Sequence, residues 1–235
     1  MLNLPKKFLL ISIVLVILVT FAFTLWSASL SQKDSLQKIA AIVNSSSATP
    51  ALAAQTYQAA KAPIIKEDDW ILGDKNNTFK IFVYEDYANI YSANLAATLN
   101  RLASDYPDIT FIFRPFIAKN NSLSTLGAQA MICAGDKWGV MRENIFKLVR
   151  ENKLAAASLT EAATQNGFKT EDFNQCLASL PSLEKSAKLS AEVNDYSVQG
   201  APTMFINNNL IVGARPYDDY TDSNGDKISG LKTVI

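Results

Sequence analysis

The chain has 235 residues, of which 22 are Lys or Arg, 22 are Asp or Glu, two are Cys and none is His. Without an imidazole, Ser-His-Asp and Cys-His hydrolysis, HExxH metalloprotease chemistry and His-ligated zinc are excluded, and two cysteines are too few for a four-cysteine metal site. The zero net charge divides unevenly: residues 1–62 carry five positive charges and one negative, leaving 17 and 21 for the remainder, a mildly acidic part that argues against nucleic-acid binding.

Between Lys7 and Lys33 no residue is charged, and the 19 residues Phe8 to Trp26 (FLLISIVLVILVTFAFTLW) are almost all Leu, Ile, Val and Phe. As a helix they span roughly 28 Å, close to the hydrocarbon thickness of a bilayer. Residues 1–26 are therefore read as a retained membrane anchor. A cleaved secretory signal, cut near Ser27-Ala28-Ser29, is the alternative, although its apolar core would be long for a signal. Lys6 and Lys7 hold the N-terminus in the cytoplasm in either case, so the chain beyond the apolar segment is exported, to the periplasm in a Gram-negative host.

Residues 27–62, rich in Ser, Ala, Gln and Thr, read as a linker with local helix near Leu36 to Val43 and Ala51 to Ala60. Residues 63–235 suffice for one domain with a sizeable core. Trp70-Ile71-Leu72 before Gly73-Asp74 predicts a short strand and turn, and Phe79 to Tyr84 a second strand. After Asn89 the spacing of Leu95, Leu99, Leu102 and Tyr106 predicts a helix that Pro107 stops, and Ile109 to Phe113 is the next strand. Strand, helix and strand imply parallel pairing through a right-handed crossover.

A helical block comes next, over about residues 120–197. Its first helix carries Leu126, Ala130 and Cys133, and its second carries Ile145, Phe146 and Val149. Ser158 with Glu161 reads as a capping box, Thr170 as the cap of a helix stopped by Pro181, and Leu183 to Tyr196 as the last helix. Gly200-Ala201-Pro202 then leads into Thr203 to Asn207 and Leu210 to Val212, a hairpin pattern. Asp222 to Asp226 has a faint calcium-loop look, but its glycine is one place early and Thr233 stands where a bidentate Glu is needed, so it reads as a turn. The order of elements is that of an α/β thioredoxin fold with an all-helical insertion, preceded by an N-terminal transmembrane helix.

The residues also resemble a known family, the DsbA-like thiol-disulfide oxidoreductases. Asp69 to Asp74 followed by Phe79 to Asp86-Tyr87 resembles the family's D-x-x-x-G turn and strand that precede C-P-x-C. Phe111 to Phe116, Ala130 to Ala134 with Trp138, and Asp172 to Leu177 match further family stretches in order. Val198 to Asn207 resembles the V-x-G-T-P-T-x-F-I-N loop that holds the fold's cis-proline. Where the family has C-P-x-C, however, this chain has Asn89-Ile90-Tyr91-Ser92.

Thiol-disulfide exchange needs one thiolate to attack and a second sulfur to resolve the mixed disulfide, and neither an amide nor a serine hydroxyl replaces them. Asn89 is among the best helix caps. The resemblance therefore implies a stable cap on a degenerate site, with no catalytic residue, cofactor or metal. Cys133 and Cys176, 43 positions apart, read as a structural bridge of an exported domain, with free thiols or a redox-active pair as alternatives; the family's helix-to-helix cysteine pair supports the bridge. Ala201 and Pro202, with Tyr91, are the expected peptide-binding residues, and Ile90 and Tyr87 are expected to add exposed apolar surface beside them.

The expected role is a redox-inactive, membrane-anchored module that binds extended peptide, unfolded protein or envelope protein. An oxidoreductase using Cys133 and Cys176, or a structural subunit of an envelope complex, are the alternatives. The turn-rich Thr221 to Lys227 predicts a shortened last helix and a sheet face left for a partner.

Overall fold

A computed structural model of the protein describes residues 55–58, 61–207 and 209–235. The apolar segment Phe8 to Trp26 and the expected helix Leu36 to Val43 lie outside the described residues. Among the described residues no helix is long and apolar enough to cross a membrane.

Two strands rich in aromatic and β-branched residues form the centre. Strand β3 (Phe79–Glu85) runs parallel to β4 (Ile109–Pro115), with Ile81 opposite Phe111 and Val83 opposite Phe113. Helix α1 (Ile90–Asp105) makes the crossover, and its Leu95, Leu99 and Leu102 are buried. Antiparallel strands complete the sheet: β1 (Gln55–Gln58), β2 (Trp70–Leu72), β5 (Thr203–Ile206) and β6 (Asn209–Val212), in the order β1-β6-β5-β3-β4-β2. Gly73 follows β2 at φ +104, where a Cβ would lie 2.8 Å from the Ile109 carbonyl oxygen, so this turn needs glycine.

Period-two alternation sorts the strands' side chains into two cores. Ile81 and Val83 pack with Leu95, Leu99, Phe111 and Met204 under α1, while Phe82 and Tyr84 pack with Ile112, Tyr196, Val198 and Phe205 on the other face. Truncating a residue such as Leu99 to Ala leaves a cavity that typically costs about 2–5 kcal/mol. Arg114, inside the second core, donates to Asp69 at 2.6 and 2.8 Å and to the Tyr84 hydroxyl at 3.1 Å, which ties the segment before β2 to the sheet. Burial pushes the Tyr84 hydroxyl up to about 12.

A third core belongs to the helices. Helices α2 (Ser122–Cys133), α3 (Trp138–Arg150), α4 (Ala156–Gln165), α5 (Thr170–Leu177) and α6 (Leu180–Ala191) lie between β4 and β5, and Glu192–Tyr196 adds a 3-10 turn. Met131, Met141, Ile145, Phe146, Leu159 and Phe173 fill their centre.

Several local expectations change. Gln55–Gln58 is a strand, not helix, because antiparallel pairing with β6 satisfies backbone groups that a bare sheet edge leaves open. Ser158 lies inside α4, whose N-cap is Ala155, and its hydroxyl bonds back to the Lys153 and Ala155 carbonyls, so no capping box forms. Lys169, not Thr170, is the N-cap of α5. Pro181 opens α6 behind the Ser179 cap rather than closing α5, the place where a missing N–H costs nothing.

The C-terminal segment also departs from expectation. Strands β7 (Tyr220–Thr221) and β8 (Lys227–Ile228) form a small hairpin whose turn is held by Asp222 Oδ1 accepting from Asn224 N and Asp226 N. The last helix, α7 (Leu231–Val234), is indeed short, yet Leu231 and Tyr217 are buried in the core under α1. Among the described residues, the central positions of β3, β4 and β5 are buried on both faces of the sheet.

Candidate functional site

The site begins where β3 ends. Glu85, Asp86 and Tyr87 turn the chain inward, and Asn89 then caps α1, its Oδ1 accepting from Tyr91 N at 2.7 Å and Ser92 N at 3.2 Å. Two of the N–H groups that a helix start leaves unpaired are thereby occupied. Ile90 is 43% exposed and Tyr91 62% exposed, as expected of surface positions. Ser92 is fully buried, and its hydroxyl oxygen accepts from Asp86 N at 3.2 Å. It braces the loop and offers no nucleophile to solvent.

The second element is the Ala201-Pro202 peptide, which is cis. Thr203 follows it and pairs with Tyr84, one residue before the end of β3. That register sets Ala201 and Pro202 at the same end of the sheet as the loop leading to Asn89. The two segments quoted for the family resemblance thus share one end of the sheet.

Beneath this surface lies a buried polar layer that sequence reasoning missed. Arg142 of α3 donates to Glu85 from Nε at 2.8 Å and from Nη2 at 2.5 Å, and both side chains are nearly inaccessible. Burial pushes the Glu85 carboxyl up, and the Arg142 guanidinium opposes it. Asp86 Oδ1 accepts from Ser124 Oγ at 2.7 Å and from Ala88 N at 2.9 Å; its carboxyl is raised by burial, with these bonds acting the other way. One signal was available: Arg142 sits three and four positions before Ile145 and Phe146, on the apolar stripe of its own helix.

Tyr87 corrects the sequence reading. It is fully buried, with its ring 5.6 Å from that of Phe146 and 6.1 Å from that of Trp70. Gly127 of α2 makes room, since a Cβ there would lie 2.5 Å from the Cβ of Tyr87. Exposed aromatic surface at this end comes from Tyr91, not from Tyr87.

The sulfur chemistry is elsewhere. Cys133 and Cys176 form a disulfide with Cα atoms 5.8 Å apart, and no cysteine is free. Cys133 is the last residue of α2, and Cys176 lies in the final turn of α5. A helix C-terminus disfavours a thiolate, the reverse of the N-terminal setting that activates one.

A family model described as thioredoxin matches residues 65–223. The chain belongs to the thioredoxin family. Similar solved structures of this family's fold include a thioredoxin-like oxidoreductase from Silicibacter pomeroyi DSS-3, 16% identical over 63% of this chain and 86% of that one, with a TM-score of 0.57. Wolbachia pipientis alpha-DsbA1 is 17% identical over 73% of this chain and 89% of that one, with a TM-score of 0.55. The catalytic domain of Proteus mirabilis ScsC is 21% identical over 63% and 82%, with a TM-score of 0.50. At these identities the likeness is one of fold. No curated protein matches the chain. In this thioredoxin-family domain, the start of α1 and the cis-proline loop lie at the same end of the sheet, and the groups at the start of α1 are the Asn89 amide, the buried Ser92 hydroxyl and the exposed Ile90 and Tyr91 side chains.

Proposed function

We propose that this thioredoxin-family domain performs no thiol-disulfide turnover and acts as a peptide- or protein-binding module, held by its N-terminal segment on the extracytoplasmic side of a membrane. One observation carries the reading: the only two cysteines are bonded to each other at helix C-termini, while an asparagine caps α1 at the end of the sheet that carries the cis-proline loop. Exchange chemistry needs an attacking thiolate, and the site supplies none.

What the surface retains is recognition. The backbone at Ala201, beside Pro202, offers strand-like pairing to an extended peptide, and Tyr91 and Ile90 offer apolar contact. Export fits the disulfide, which persists in oxidising compartments. An envelope holdase or assembly factor is the role that combines these features.

Insulin reduction by the full chain, purified in mild detergent with dithiothreitol as reductant, tests the claim. The expected rate equals that of the control without protein, and turnover above it overturns the reading. Alkylation with a mass tag separates the oxidoreductase alternative, since Cys133 and Cys176 are expected to stay untagged until strong reductant is added.

A further inference from the structure

Asn-x-Ser/Thr triplets, the acceptor pattern for N-linked glycans, begin at Asn44, Asn76 and Asn120. The first lies outside the described residues. The third is built into a helix start: Asn121 caps α2, its side chain accepting from Leu123 N and Ser124 N, and Ser122 is the first residue of that helix. An enzyme reading this triplet would have to unwind the start of α2.

Asn76 stands differently. Residues Asp74 to Asn77 make the turn between β2 and β3, closed by Asn77 N donating to the Asp74 carbonyl at 3.0 Å, and Lys75, Asn76 and Thr78 are all exposed. Asp74 Oδ1 accepts from Asn76 N at 2.9 Å and from Asn76 Nδ2 at 3.0 Å. The carboxylate thus fixes the carboxamide in an exposed turn, and drawing on one of its N–H bonds places more electron density on the nitrogen. Exposed turns of this kind are where added mass is best tolerated.

We propose that Asn76 is an N-glycosylation site whose donor is an oligosaccharide carried on a lipid pyrophosphate. In the transfer, C1 of the first sugar bonds to Asn76 Nδ2 and its bond to the pyrophosphate oxygen breaks. The lipid pyrophosphate leaves, one Nδ2 proton passes to solvent, and nothing is oxidised or reduced. The assignment rests on the extracytoplasmic placement proposed above, because an N-linked glycan belongs to the surface loops of exported chains. Its position suits that reading. The turn enters β3 at Phe79, whereas Asn89 follows the other end of the strand at Glu85, about 20 Å away for seven residues. A bulky, solubilising chain at Asn76 therefore leaves the end of the sheet with Asn89 and Pro202 open.

The test is mass spectrometry of the full chain, purified in detergent from membranes of the organism that makes it. The peptide containing Asn76 is expected to carry the mass of one oligosaccharide. Asn76→Gln and Thr78→Val are expected to abolish the addition, Thr78→Ser to retain it, and Asp74→Ala to lower occupancy at least twofold. Addition that survives Thr78→Val overturns the assignment, and full occupancy in Asp74→Ala overturns the part given to Asp74. Protease release of the domain from intact cells, or from spheroplasts where there is an outer membrane, reads its side of the membrane independently. A released domain with Asn76 unmodified overturns the glycan and leaves the extracytoplasmic placement standing, whereas a domain protected inside the cell overturns both.

Discussion

Glu85 and Arg142 form a two-point ion pair in the interior, with N–O distances of 2.5 and 2.8 Å, joining the end of the central strand β3 to helix α3. The guanidinium carbon also lies 4.2 Å from the centre of the Phe113 ring. Through this pair the helical block is fastened to the end of the sheet that carries Asn89.

Breaking the pair from one side leaves a buried charge uncompensated. Arg142→Ala is expected to lower stability by about 3–5 kcal/mol, whereas Glu85→Leu with Arg142→Met is expected to stay close to the unmodified chain. Urea unfolding midpoints of the single and double variants check this; equal losses in both would show that packing, not charge, sets the effect.

Asp86 makes stability depend on pH. Burial favours its protonated form, so between the ordinary aspartate range and its raised folded value the folded chain holds a proton that the unfolded chain has lost. Stability contributed by that proton is present at low pH and is lost as pH rises through this window. Asp86→Asn is expected to flatten the fall, its gain over the unmodified chain growing with pH. Thermal midpoints at a series of pH values read the difference, and parallel curves for the two chains would contradict it.

The disulfide closes a 43-residue separation between α2 and α5. In the chain-entropy account such a loop contributes about 4 kcal/mol by restricting the unfolded state. Replacing Cys133 and Cys176 together by Ser is expected to lower stability by about that amount and to leave peptide affinity unchanged at temperatures where the domain stays folded. Denaturation and peptide titration on the same sample separate the two effects.

Asn89 and Ser92 can be used to ask whether the site is degenerate or merely different. Asn89→Ala is expected to cost about 1 kcal/mol as a lost cap, with Asn89→Asp close to neutral. Asn89→Cys with Ser92→Cys places a thiol pair at the start of α1, one at the cap and one buried, where the helix dipole favours a thiolate. Insulin reduction above background is expected for this double variant alone.

The order of residues by itself determined the strands around Ile81 and Phe111, the helix that begins after Asn89, the hairpin after Pro202 and the lack of a thiol at the α1 cap. Each of these rests on local periodicity, on turn chemistry or on which atoms a side chain carries. Tertiary structure alone decided that Tyr87 points inward onto Gly127, that Gln55–Gln58 completes the sheet beside β6, and that Glu85 meets Arg142. Those outcomes depend on space and charge supplied by distant partners, 57 positions away for Glu85 and Arg142, and no local pattern around either residue encodes the other's place.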